Sequence, residues 1–252
     1  MDSGDVLLDI FFNSRGWVNR KVHIVDHLVA GRMQTKVNLD LSIPPKEQIP
    51  QTENTALALP VALLNKGIIR SWWIEECTGG PLPVLGRDES TRLVRDMFRS
   101  LLKRVELLPH DNIDLGDLLS FIDNSSSSLE CSMESLQAYL DENSGGVDPA
   151  LVGLVKDIAD LLSSSWIVFI EIPDSWVAGR RLIEYGYDDF PDVLPRPSLW
   201  KDNDYYELSL PDPGFARSQH YEIRVPPGIA HYRNRPANPD GQKPGTANSR
   251  EQ

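Results

Sequence analysis

The sequence predicts an α+β fold, with a β-sandwich-like sheet system drawn from both ends of the chain and a central helical insert. Three observations predict it. Residues 36–43 alternate polar and apolar strictly, which is the pattern of a strand with one face in a core and one in water. Residues 88–162 carry apolar residues at helical spacing between capping signals. Residues 166–172, Trp-Ile-Val-Phe-Ile-Glu-Ile, return to bulky β-forming residues. Strands, then helices, then strands, without alternation, is an α+β order and not a doubly wound one.

Residues 1–16 read as an N-terminal arm, whose apolar run Val6 to Phe12 is an edge strand or a packed segment. The domain proper is expected over 17–232, with its β part at 17–86 and 166–232 and the insert at 87–165. In the first β region, Val22 and Ile24 share one side of a run that breaks at Ala30-Gly31. The alternating run that follows ends at Pro44-Pro45. Leu57 to Leu64 is a buried apolar segment interrupted by Pro60. Ile68–Glu76 and Leu82–Leu85 flank Thr78-Gly79-Gly80-Pro81, a turn signal that makes the pair a hairpin.

Asp88 or Ser90 caps a helix running to about Leu107, with an apolar stripe of Leu93, Val94, Met97, Phe98, Leu101, Leu102 and Val105. A short helix is expected over Ile113–Ile122, then a serine linker at 125–128 with a capping box of Ser127 and Glu130. Leu129, Met133, Leu136 and Leu140 mark the next helix, stopped by Gly145-Gly146. Asp148-Pro149 starts another, with an acidic N-cap and proline at the first helical position. After the strand at 166–172, residues 173–204 read as irregular, Tyr205–Leu210 and His220–Val225 as strands, and 233–252 as a disordered tail or linker.

The net charge is −12, which disfavours general nucleic-acid binding. It is concentrated in 106–192, where 18 acidic residues face three basic ones, Lys156, Arg180 and Arg181, for a net of −15. That block is either a solvated surface or a docking face for a basic protein partner. No 18-residue apolar run is present and the N-terminus is acidic, so the expectation is a cytoplasmic protein with no membrane span in these residues. Cys77 and Cys131 lack a C-x-x-C spacing and read as a reduced, buried pair and not a disulfide.

Chemistry-bearing motifs are sparse. His23 and His27 lie four apart; on a strand that is about 13 Å, too far to share a metal. His110-Asp111 reads as a capping loop. Asp202, Asp204 and Glu207 lack the glycine and glutamate spacing of a calcium loop. The G-x-S-x-G, G-x-G-x-x-G and P-loop patterns are absent, so no catalytic residue, metal or cofactor is assigned. The candidate binding residues are the aromatics Tyr185, Tyr187, Trp200, Tyr205 and Tyr206, with His220 and Glu222.

Two stretches carry a resemblance. Leu59-Pro60-Val61-Ala62-Leu63-Leu64-Asn65-Lys66-Gly67, continuing to Gly79-Gly80-Pro81-Leu82-Pro83-Val84-Leu85, is the first. Ala216-Arg217-Ser218-Gln219-His220-Tyr221-Glu222-Ile223-Arg224-Val225-Pro226-Pro227-Gly228 is the second. Together they resemble a group of uncharacterised, mainly actinobacterial proteins with a β-rich domain, over about residues 17–232. The turn here reads Cys77-Thr78-Gly79-Gly80 where the group has an acid before the glycine. The resemblance implies no activity. It implies that a membrane-anchored continuation is an alternative to a stand-alone soluble chain, since some members continue into membrane-spanning helices.

Two functions follow as expectations. The first is a non-catalytic binding or regulatory module acting through a protein partner. The second is a hydrolase-type enzyme with a non-sequential site of His220, Glu222 and acids from 188–207. A deep pocket holding His220 and Glu222 with two further acids favours the enzyme, and a solvated position removes it.

Overall fold

A computed structural model of the chain describes residues 2–27, 33–66, 70–108, 119–123, 129–189, 193–194, 205–206 and 216–224. Outside them lie the Ala30-Gly31 break, His110-Asp111, the 125–128 linker with Ser127, Trp200, the acids Asp202, Asp204 and Glu207, and the 233–252 tail.

The fold is α+β, as the sequence predicts, with two principal sheets built from both ends of the chain and helices between them. The first element corrects the reading of 1–16. Ser3–Phe12 is a helix, α1, and not an edge strand. Its Leu7 and Leu8 are fully buried, because both sides of this short helix are covered. It packs on α3, Arg87–Arg104, at a close approach that needs Gly4. A Cβ there would lie 2.3 Å from the backbone oxygen of Asp96. Arg104 of α3 reaches back to the Asp9 carboxylate at 2.6 Å. The short helix α2, Ser14–Trp17, then turns the chain into the sheet, and the Trp17 indole donates to the Ile10 carbonyl at 3.0 Å.

β1 (Val18–His27) and β2 (Met33–Ser42) pair antiparallel. In β2, Met33, Thr35, Val37, Leu39 and Leu41 are buried and their neighbours are half-buried, as the alternation requires. β3 (Leu57–Asn65) pairs with β5 (Ser165–Ile172), and a register shift between Pro60 and Ala62 accommodates the proline. β4 (Arg70–Glu76) leads into the expected turn, where Glu76 N–H donates to the Gly80 carbonyl and Glu75 bridges Pro81.

α3 buries the stripe Leu93, Val94, Met97, Phe98, Leu101 and Leu102, and its unfavourable mean hydropathy reflects the charged face opposite. After α4 (Ser120–Asp123) come α5 (Leu129–Asn143) and α6 (Pro149–Ser164). The Asp148 carboxylate caps α6 by accepting from Ala150 N–H at 2.9 Å. Gly146, at φ 100°, makes the preceding stop. α3 and α6 pack against β5.

The reading of 173–204 as irregular is corrected by β6, Arg180–Asp189, a ten-residue strand in the interior of the main sheet. The strand order is β4-β6-β2-β1-β9, where β9 is Gln219–Arg224. All neighbours are antiparallel except β9, which runs parallel to β1. β7 (Val193–Leu194) and β8 (Tyr205–Tyr206) form a separate two-stranded piece. One hydrophobic core joins α1, α3, α6, the β3–β5 ribbon and the inner face of the main sheet. Among the described residues no helix is long and apolar enough to cross a membrane.

Candidate functional site

The register of the main sheet builds a polar cluster inside the molecule. A shift between Val18 and Arg20 sets the phase of β1, so that Lys21, His23 and Val25 point inward. Opposed residues share a face. His23 pairs with Val37, Val37 with Tyr185 and Tyr185 with Ile74, while Tyr221 of β9 stands on the other side of His23. One row therefore crosses all five strands.

Within it the His23 and Tyr221 rings stack, with centroids 4.8 Å apart and planes 17° from parallel. The Tyr221 hydroxyl donates to Gln219 Oε1 at 3.0 Å, and Gln219 stands beside Lys21 in the register. Lys21 is 5% exposed and His23 2%. His23 Nε2 is buried without a hydrogen-bond partner. Burial pushes the Lys21 amine down to about 8. Burial, and then the charge of Lys21, push His23 down to about 3, so its imidazole is neutral. Burial, with Tyr187 and Tyr221 nearby, pushes the Tyr185 phenol up. These are groups able to gain and lose protons, closed off from water, with an amine that no carboxylate among the described residues neutralises.

The sheet separates the residues singled out from the sequence. Tyr185, fully buried, and Tyr187, half-buried, lie two apart on the inner face. His220 and Glu222 alternate with Tyr221, so they lie on the outer face, and both are exposed. Glu222 accepts from Arg224 Nε at 2.7 Å, and Arg224 also faces Asp26 at 3.9 Å. Asp188, on the same outer face, is three strands from β9, about 14 Å at the usual strand spacing. Among the described residues no enclosed site forms around His220. Tyr205 and Tyr206 are placed only as the backbone of β8, and Trp200 lies outside the described residues.

The sequence groups Val22 with Ile24 on one side of this run and does not single out Lys21 with His23 as a pair on the other. The signal that finds them is the phase of β1 against β2: the strictly alternating partner fixes which β1 positions point inward once the two strands are registered.

A second polar cluster has a structural role. Lys66 and Arg87 lie 4.6 and 4.9 Å from the centre of the Trp166 ring, and the Lys66 amine donates to the Ile122 carbonyl at 3.1 Å. This ties β3, α3, α4 and β5 together. Among the described residues no group of three or more His, Cys, Asp or Glu side chains could hold a metal ion.

Comparison of the chain with protein-family models, curated proteins and solved structures finds no match.

Proposed function

We propose that this protein is a non-catalytic binding or regulatory module whose helical insert docks a basic protein partner. The observation that carries this reading is the surface of α5 and α6. Glu134, Asp141, Glu142, Asp148, Asp157 and Asp160 are all exposed there. The single cation among the described side chains of these helices is Lys156, which faces Asp141 at 3.9 Å. Leu151, 39% exposed, adds an apolar contact beside the acids. A field of one sign speeds encounter with a partner of the other and repels nucleic-acid phosphates. Cys77 is a free thiol on an exposed residue, which corrects the expectation that it is buried, and a free thiol suits a reducing compartment such as the cytoplasm. The hydrolase alternative has no such support, since His220 and Glu222 stand exposed on a strand at one end of the sheet order.

The test is capture of partners by the full chain beside a variant with Asp141→Asn, Glu142→Gln, Asp157→Asn and Asp160→Asn. A basic protein retained by the first, lost by the second and released by 0.5 M salt (roughly, a Debye length of about 4 Å) is the expected result. Equal retention by both chains would refute docking on the insert.

A further inference from the structure

The arrangement of β1 and β9 points to a conformational device. β9 is six residues long and, among the described residues, is joined to the main sheet through one neighbour, β1, in parallel pairing. Parallel pairing is slightly weaker per residue than antiparallel, and a strand with one neighbour is the first to leave a sheet. Four of its six residues are exposed. One contact that holds it on the inner side is the stack of Tyr221 on His23.

That anchor includes a titratable ring in a place that does not tolerate charge. His23 Nε2 has no hydrogen-bond partner. The groups facing His23 from the surrounding elements are the Lys21 amine on its own strand, Gln219 and Tyr221 on β9, and Tyr185 and Tyr187 on β6. β2 contributes Met33, Thr35, Val37, Leu39 and Leu41 to this face, none of them a charged or titratable side chain. α2, which precedes β1, brings the exposed Arg15. Glu76 lies on β4, three strands from Lys21 and about 14 Å away. An imidazolium at His23 would thus stand beside an ammonium with no nearby carboxylate among the described residues. Leaving the sheet puts the ring in water, where the charge is solvated.

We propose that protonation of His23 unlatches β9 from β1, making this strand an acid-released clasp on the inner face of the main sheet. Release exposes Lys21 and His23 while the β3–β5 ribbon and its helices stay folded. With the ring at about 3 when clasped and near 6.5 when free, the opening constant rises about 30-fold between neutral pH and pH 5.

Hydrogen exchange of the full chain at pH 7.5 and pH 5, corrected for intrinsic exchange rates, tests this. Peptides covering 216–224 are expected to lose about 30-fold protection while peptides from β3 and β5 lose none. In His23→Phe, which keeps a ring for the stack and cannot ionise, β9 protection should not change with pH. Loss of protection everywhere at once, no loss at pH 5, or a loss at pH 5 that persists undiminished in His23→Phe would each overturn the proposal.

Discussion

The indole of Trp73 lies over Gly186, and a Cβ at that glycine would stand 2.7 Å from the Trp73 Cε2, Cζ2 and Nε1 atoms. Glycine here is a packing requirement of the β4–β6 pair. The ring sits on the outer face across from the residue it opposes in the register, and Lys36 approaches it at 6.0 Å. Gly186→Ala should cost about 1–3 kcal/mol by forcing the indole off its seat. Trp73→Ala together with Gly186→Ala should cost less than the two single changes summed. Urea unfolding followed by tryptophan fluorescence measures both.

Gly4→Ala should be worse. At Gly4 the obstacle is the backbone oxygen of Asp96 at 2.3 Å, which cannot rotate away as a side chain can. The expected outcome is separation of α1 from α3, read as early loss of exchange protection in residues 3–12 and a lower Tm than for Gly186→Ala.

Asp148→Ala should remove the cap of α6 and destabilise the protein by about 1 kcal/mol, and Asp148→Ser should restore most of it. The carboxylate accepts one N–H, from Ala150, and serine can do the same. Thermal unfolding by circular dichroism distinguishes the two variants.

Lys21 and His23 make stability depend on pH in two separate windows. Both have folded-state values below their unfolded ones, so each favours the folded state only when deprotonated. The contribution of His23 is present above pH 6.5 and is lost as the pH falls toward about 3. That of Lys21 is present above 10.5 and is lost as the pH falls toward about 8, so at neutral pH it is already gone. Lys21→Met should therefore raise stability at pH 7, by up to about 3 kcal/mol, and flatten the rise between pH 8 and 10. Denaturant midpoints across that range test the sign: a destabilised Lys21→Met at pH 7 would show that the amine has a stabilising partner.

Cys77 should alkylate slowly. Burial and then the neighbouring Glu184 raise its thiol above the ordinary value, while Lys36 acts weakly the other way. Iodoacetamide at pH 7.5 should modify it more slowly than it does a free cysteine, and Glu184→Gln should speed the reaction.

Much of the fold was legible because local pattern and burial agree in it. The alternation of 36–43 became β2, the stripe of 93–102 became the buried face of α3, and Asp148-Pro149 started α6. β6 was not legible. Its sequence, Arg-Arg-Leu-Ile-Glu-Tyr-Gly-Tyr-Asp-Asp, puts its most exposed apolar residue, Leu182, on the outer face and a glycine beneath Trp73. Neither choice makes sense until the neighbouring strands are known. α1 was misread because helical periodicity vanishes when a helix is covered on more than one side. The inner cluster failed to appear for a related reason. Which face of β1 is core depends on a one-residue irregularity near Arg20, and hydropathy alone prefers Val22 and Ile24 over Lys21 and His23.

The placement of β6 between β4 and β2 has a consequence for how the chain is made. β2 and β4 are synthesised early, yet neither pairs with the other; the strand that bridges them begins at Arg180. During translation, the strand edges that β6 will cover stay bare until the whole helical insert has emerged from the ribosome. Such non-local closure is slow, and bare edges recruit foreign strands. A nascent chain stalled before residue 180 should bind a chaperone, and one stalled past residue 189 with room to exit should release it.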